Sequence, residues 1–436
     1  MDEYNNMYIA VDDTDSREGM CTTFLATELI KEFEDCQLLD YPRLVRLNPN
    51  VPWKTRGNGA IVLTLGKGLK KEKMIGEIEK DQWIFQGDHE RKENAFQRVK
   101  KVVEELAHFQ SSNTNPGLIV AEERPSRNLY EKAVKDIVEL EEVLDILDKN
   151  SFEYSGYGEK RGLIGASAAL AWRPDDMTYE ILSYRSKDRW GKKRELDEED
   201  IRKLDTTIKG AFDSYDDEEN KQCIAPNSPC PVLYGVRGDY PLELQKSLDI
   251  IDDEDPERWI TFLTNQGTDD HIQRALISEA KPWNSVKIKG EVCSKPRSIE
   301  GGHVLFDITD ETDQITAAAY EPTKSFREVI ENLIVGDKIE LWGGVRRDPR
   351  TLNIEKMKIL ELEEKIIKVR NPECPDCGKR MSSMGTDAGY RCKRCRIKAD
   401  EDEAVREKID RELTEKWYEV PASARRHLSK PLKRIR

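Results

Sequence analysis

Apolar residues open the chain in a short run, Tyr8-Ile9-Ala10-Val11, and the run stops at Asp12-Asp13-Thr14-Asp15-Ser16. A brief apolar run ending in turn formers predicts a strand feeding a loop. Past Gly19 the period changes: from Thr22 onward, Leu25, Ala26, Leu29, Ile30 and Phe33 recur at helical spacing. The opening unit is therefore strand, acidic loop, helix. Asn48-Pro49-Asn50 marks a turn, and Gly57-Asn58-Gly59 leads into a strand at 60–65. Amphipathic patterns predict a helix at about 93–109, through Phe96, Val99, Val103 and Leu106, and another at about 131–147, through Ala133, Ile137, Leu140 and Leu144. Asn115-Pro116-Gly117 precedes a strand at 118–121. The stretch GYGEKRGLIGASAALAW is a glycine-rich loop opening into small residues. It suits either close packing of a buried helix or a phosphate cradle of backbone N–H groups.

From Met177 the order becomes strand (179–184), helix (199–208), strand (212–215), strand (231–236), helix (242–251), strand (258–264). That β-α-β-β-α-β order predicts a ferredoxin-like domain. From Val286 the chain is strand-rich. Val286, Ile288, Gly290 and Val292 alternate with Lys287, Lys289 and Glu291, and further strands read at 303–308, 314–320, 337–345 and 352–360, with a short helix at 324–333. Three strands, a helix and two strands predict an OB-type barrel. The fold class is thus α+β multidomain, divided as 1–176 (α/β domain carrying the acidic loop), 177–272 (ferredoxin-like), 283–362 (OB-fold), 370–398 (ribbon) and 399–436 (basic C-terminal tail).

Composition changes this picture in two places. With 436 residues, 37% apolar, 36% charged and 7% aromatic, the chain favours several modest cores over one large one. No apolar run approaches the length of a membrane span, and the acidic start is unlike a secretory signal, so a cytoplasmic location with reduced thiols is expected. The net charge of −14 alone argues against nucleic acid, or reflects a heavily solvated surface. The charge is unevenly placed, however. The last twelve residues, RRHLSKPLKRIR, hold six basic side chains and no acid, and 370–398 holds eight against three. Basic modules on an acidic body can still grip a phosphate backbone.

The most specific chemical signal is Cys374-x2-Cys377 with Cys392-x2-Cys395, four of the nine cysteines. Two C-x2-C knuckles supply four thiolates to one tetrahedral Zn²⁺, and a filled shell makes the site structural. Asp12, Asp13 and Asp15 sit between a strand end and a helix N-terminus near Thr22, an arrangement suited to Mg²⁺ carried on a nucleotide. The competing reading is one capping Asp beside solvated neighbours. Lys54 and Arg56, with Lys160 and Arg161, are candidates for neutralising phosphate, or are surface cations. Asn265-Gln266-Gly267-Thr268-Asp269-Asp270-His271 is dense in hydrogen-bonding groups, which a capped linker also explains. His271 lacks partners at metal spacing, and His89, His108 and His303 read as ordinary structural histidines.

The blocks DDTDSREGMCTTFLATEL, RLVRLNPNVPWKTRGNGAIVLTL, NPGLIVA, KRGLIGASAALAW, NQGTDDH and CPDCGKRMSS, with the tail WYEVPASARRHLSKPL, resemble the archaeal tRNA-isoleucine 2-agmatinylcytidine (agmatidine) synthetases over nearly the whole chain. The resemblance implies a ligase with a kinase-like catalytic domain. It would use ATP to activate the 2-oxo group of the wobble cytidine in the CAU anticodon of a minor isoleucine tRNA. The amine of agmatine then displaces the phosphate, and the tRNA reads AUA. It implies Thr22, directly after Met20-Cys21, as phosphoryl acceptor, with Asp12, Asp13 and Asp15 around Mg²⁺ and the phosphates. Asn58, Gly59, Arg161 and Gly162 would touch the nucleotide, although Glu159 stands where the family suggests a smaller or neutral residue. The anticodon loop would lie on the kinase-like and ferredoxin-like domains and the acceptor stem on barrel and ribbon. No membrane and no obligate protein partner are expected. The loop at 227–230 is a guess for the amine side. A non-catalytic OB-fold and zinc-ribbon nucleic-acid binder is the alternative, and it leaves the acidic loop unexplained.

Overall fold

The strand Met7–Asp12 is buried along nearly its whole length, as an uninterrupted apolar run requires when both faces are covered. It pairs antiparallel with Gly59–Ile78 on one side and Gly117–Ala121 on the other. The computed structural model describes residues 7–435, except 55, 56, 58, 89, 91 and 386. The small-residue helix Gly162–Ala171 lies across this strand with nine of its ten residues buried. Glycine is needed at the crossing: a Cβ on Gly162 would stand 2.2 Å from the Gly117 nitrogen, and one on Gly117 would stand 2.1 Å from the Gly162 carbonyl carbon. Both are closer than packed atoms allow.

The sheet continues without a break from the first 176 residues into the ferredoxin-like segment. Its order is Glu153–Gly156, Gly117–Ala121, Met7–Asp12, Gly59–Ile78, Arg43–Arg46, Arg258–Thr264, Thr178–Tyr184, Val232–Gly238 and Ala211–Phe212. The last four strands are antiparallel and in the order fourth, first, third, second, which is the ferredoxin-like arrangement. The seam combines the parallel pairing of Leu263 with Arg43 and Thr264 with Leu44 and the antiparallel pairing of Trp259 with Glu77 and Ile260 with Gly76. One apolar core underlies most of this sheet, and Leu428 from the C-terminal tail belongs to it.

Two elements differ from the periodicity. The pattern at 131–147 folds as two helices, Arg127–Lys135 and Leu140–Lys149. Asp136 is extended between them, and the Asn48 side-chain amide donates to its carbonyl at 3.3 Å, so a tertiary contact takes the place of the helical bond. The strand begun at 60–65 runs on as Gly59–Ile78 and turns back as Lys80–Asp88. Its outer half is too charged to show alternation.

The barrel closes as a ring. Ser285–Val292 pairs with His303–Thr309 and Lys338–Val345, His303–Thr309 with Gln314–Ala319, and Thr351–Glu361 joins Gln314–Ala319 to Lys338–Val345. A two-stranded stalk, Ile366–Arg370 against Val405–Lys408, then carries the ribbon. After the stalk the chain returns: Trp417–Glu419 adds to the barrel strand Thr351–Glu361. No helix among the described residues is long and apolar enough to cross a membrane.

Candidate active site

A cavity of about 750 Å³ opens where the two halves of the long sheet meet, a size suited to a nucleotide and a second small ligand. Its wall contains Asp12, Asp13, Asp15, Thr22, Gly59 and Arg161. Gly162 lies beside the wall, packed on Gly117. Asn58 and Arg56 fall outside the described residues. Lys54 is on the wall and donates to the Pro49 carbonyl, while Lys160 is exposed and off it.

Local backbone geometry shapes the acidic loop. Asp13 and Met20 both hold positive φ, 56° and 59°, at the two ends of the loop. Non-glycine residues rarely adopt this region, and it persists where surrounding contacts impose it. Those contacts come from Thr114-Asn115. The Asn115 backbone N–H donates to Asp13 Oδ2 (3.0 Å), and the Thr114 hydroxyl donates to the Asp15 carbonyl (2.7 Å). The Asn115 carbonyl and Oδ1 accept from the N–H groups of Gly162 and Glu159, which ties the glycine-rich loop to the acidic one. Ser16 and His108 Nδ1 lie 2.9 Å apart and close the far side.

Helix Thr22–Glu32 begins at the cavity with no side-chain cap, and Thr22 and Thr23 line the wall. The Thr14 hydroxyl donates to Thr22 Oγ1 at 3.2 Å. Burial pushes the Asp12 carboxyl well above its usual range, and the charges of Asp13 and Asp15 push the same way. The three carboxylates share the wall without closing into one ligand cluster: among the described residues the ribbon cysteines alone bring three or more such groups within 4.8 Å of one another. One or two of the aspartates, with phosphate oxygens, are the kind of partial donor set that Mg²⁺ takes on a nucleotide.

Several residues on the wall carry no signal in the sequence pattern. Arg46 ends a short strand and points into the cavity, donating to the Gly57 carbonyl at 3.2 Å. Glu180 and Arg237 stand together on the ferredoxin-like side, Oε1 to Nε at 3.3 Å, and Gln266 Nε2 holds Glu180 Oε2 at 2.5 Å. Asp136 and Glu139 reach the wall because the helix is broken between them. The loop at 227–230, singled out in the sequence, does reach the wall through Ser228 and Cys230, with Cys223 beside it, and Arg194 pins this loop by donating to the carbonyls of Pro226, Ser228, Cys230 and Val232. His427 of the tail completes the wall.

The polar block at 265–271 has a distinct job at nearly every position. Asn265 exchanges hydrogen bonds with both backbone groups of Arg46 and meets the Tyr130 hydroxyl at 2.7 Å. Asp269 takes Lys356 Nζ at 2.7 Å and the Lys430 N–H at 2.7 Å. His271 meets Glu355 of the barrel at 3.1 Å.

In the ribbon, the sulfurs of Cys374, Cys377, Cys392 and Cys395 all lie within 4.8 Å of one another. Gly378 and Arg396 both take φ of 64°, so each knuckle turns alike, and their N–H groups bond back to the carbonyls of Cys374 and Cys392. The Cys395 N–H, donated to Cys392 Sγ at 3.4 Å, leads the effects that bring that thiol down to about 6. The four sulfurs fit one tetrahedral Zn²⁺.

Comparison with known proteins follows this division. Family models match consecutive segments: the TiaS TCKD domain at 8–159, the TiaS FLD domain at 160–271, an OB-fold nucleic acid binding domain at 286–362 and the TiaS C-terminal zinc ribbon domain at 371–413. The chain is 42% identical to TiaS, the isoleucine-tRNA 2-agmatinylcytidine synthetase of Methanocaldococcus jannaschii, over 98% of this chain and 99% of that one. It is 39% identical to the TiaS of Archaeoglobus fulgidus, over 98% and 97%. Among solved structures, a complex of TiaS with its isoleucine tRNA and ATP superposes with a TM-score of 0.85 at 37% identity, covering 99% of this chain and 98% of that one. A complex of TiaS with the same tRNA, AMPCPP and agmatine gives 0.83 at 34% identity, covering 98% and 97%.

Proposed function

Since the chain belongs to the isoleucine-tRNA 2-agmatinylcytidine synthetase family, we propose that it joins agmatine to the wobble cytidine of the CAU-anticodon isoleucine tRNA, with cleavage of ATP. The supporting observation is the cavity itself. It places the acidic loop, the Thr22 hydroxyl and a cation-and-carboxylate wall around one space at the seam of the two catalytic halves.

The chemistry needs a good leaving group at C2 of the cytidine, because an amide-like oxygen is expelled poorly. Transfer of a phosphoryl group to that oxygen supplies one. The agmatine nitrogen then bonds to C2, the C2–O bond breaks, phosphate leaves, and the amine gives up a proton. Thr22 is read as the acceptor in a further phosphoryl transfer from ATP, with its hydroxyl oriented by Thr14. Asp12, Asp13 and Asp15 would hold Mg²⁺, which when bound neutralises phosphate charge. Arg46 offers a guanidinium to the same charge from a fixed strand end, anchored by Asn265. Gly59 and Arg161 are the nucleotide-side contacts, with Asn58 and Gly162 as neighbours in the same two loops. Arg161 lies 5.2 Å from the Trp53 ring and is paired with Glu159, which fixes its place at the rim. Asp136, Glu139 and Glu180 supply carboxylates for a dicationic amine. Four cysteines would hold Zn²⁺ in the ribbon, remote from the reaction.

A cytoplasmic location follows from a tRNA substrate. The binder-only alternative is not favoured, because the cavity lies outside barrel and ribbon. The test is incubation with labelled agmatine, ATP and the CAU-anticodon isoleucine tRNA. Label in the tRNA is expected. No label with folded, zinc-loaded protein overturns the reading.

A further inference from the structure

The tail reads as a detached basic appendage, yet it is built into the catalytic half. Leu428 is 1% exposed and packs in the main apolar core. The Gly267 N–H donates to the His427 carbonyl (2.7 Å), the Asp269 N–H to the Leu428 carbonyl (2.9 Å), and the Lys430 N–H to Asp269 Oδ1 (2.7 Å). Arg425 pairs with Asp213 and Glu419, and Arg434 with Asp176 and Asp239. These ties fix the backbone on both sides of residue 427 and leave its imidazole at the cavity wall.

The ring's surroundings favour RNA. A Cβ on Gly57 would stand 3.5 Å from His427 Nε2, so the ring faces Gly57. Trp53, 45% exposed, and Lys54 share this open rim, and Arg426 follows from the tail. His427 is exposed, and its place in the mouth of the cavity beside the charges of Arg46, Arg237 and Lys54 favours the neutral imidazole, one N–H donor and one acceptor with a flat face. Aromatic faces alternating with cations at an open edge are the chemistry that takes single-stranded nucleotides. A small nucleotide needs only the enclosed acidic end, whereas a polymer must cross the rim.

We propose that the tail segment around Arg426-His427 and the Trp53-Lys54 turn together form an RNA-binding lip of the cavity. His427 contacts a base of the anticodon loop, and Lys54 contacts its phosphate backbone. This rests on the reading of tRNA as substrate.

Binding of the CAU anticodon stem-loop to full-length His427→Ala tests the lip. Stem-loop affinity is expected to fall at least about ten-fold, the scale of one lost stacking contact. ATP affinity without RNA should move less than about two-fold, and melting should not shift, because the tie to Gly267 uses the backbone. Lys54→Ala should lower the slope of log affinity against log salt by about 1, and His427→Ala should leave that slope alone. Wild-type stem-loop affinity in His427→Ala, or an equal loss of ATP affinity, overturns the proposal. If the wild-type protein binds the stem-loop through His427 but incorporates no agmatine, the reaction assignment falls and the lip stands.

Discussion

Gly165 lies directly beneath the Asp12 carboxylate: a Cβ at residue 165 would stand 1.7 Å from Asp12 Oδ2. The helix under Asp12 is buried and fixed, so it is the carboxylate, itself only 8% exposed, that has to move. Gly165→Ala should displace the carboxylate, lower stability by about 1–3 kcal/mol and weaken Mg·ATP binding at least about ten-fold. Calorimetric titration reads the binding and a melt reads the stability. Unchanged ATP affinity would remove Asp12 from the nucleotide site.

Thr22 and Thr14 are hydroxyl to hydroxyl at 3.2 Å on the cavity wall. Thr22→Ala should cut agmatine incorporation at least about 100-fold, as expected for loss of a covalent acceptor, while stem-loop affinity holds. Thr22→Ser should recover part of the rate. Transfer of the label from γ-labelled ATP to protein should vanish in the alanine variant alone.

The His271–Glu355 pair bolts the catalytic half to the barrel. Burial alone would push Glu355 up, but the charge of His271, its hydrogen bond and Arg426 outweigh it and hold the carboxyl at about 2. A carboxyl held low in the folded protein adds stability above its unfolded value, here 4.5, and that stability drains as pH falls towards 2. The span corresponds to about 3 kcal/mol. Melting temperature should fall between about pH 5 and pH 2, and Glu355→Gln should flatten that limb. An identical acid limb in the variant would place the transition elsewhere.

The ribbon hangs on a stalk whose strand Ile366–Arg370 is exposed at all five residues. Chelation or Cys392→Ser should therefore unfold the ribbon alone. The expected result is loss of bound zinc and weaker binding of full-length tRNA, with ATP affinity and stem-loop affinity unchanged. Loss of ATP binding on chelation would mean that the ribbon supports the catalytic half.

Legibility in the sequence follows the range of the forces involved. The strand through Ile9 and Val11, the helix through Leu25 and Leu29, and the barrel strands through Val286 and Ile288 are periodic because burial is periodic. The knuckles are legible because ligand spacing is local. The ferredoxin-like order is readable although its second strand, Ala211–Phe212, is only two residues long. What escapes depends on distant partners. Nothing near Asp136 signals that Asn48 will break the helix there. Arg46 sits in a block that reads as one more strand, and its place in the cavity depends on Asn265, 219 residues away. The tail reads as a free cationic arm because Asp176, Asp213 and Asp269 are far away in sequence. The acidic loop is visible as chemistry, but its left-handed turns at Asp13 and Met20 have no glycine to announce them.

The clasp through residues 417–435 has a consequence for biosynthesis. Ribosomes make the two catalytic halves first, the barrel next, then the ribbon, and only afterwards the segment that returns to the cavity. A nascent chain can therefore bury its main sheet early, yet His427 reaches its place only after the barrel and the ribbon have emerged. Completion of the cavity wall therefore waits on the synthesis of barrel and ribbon, although neither contributes to that wall.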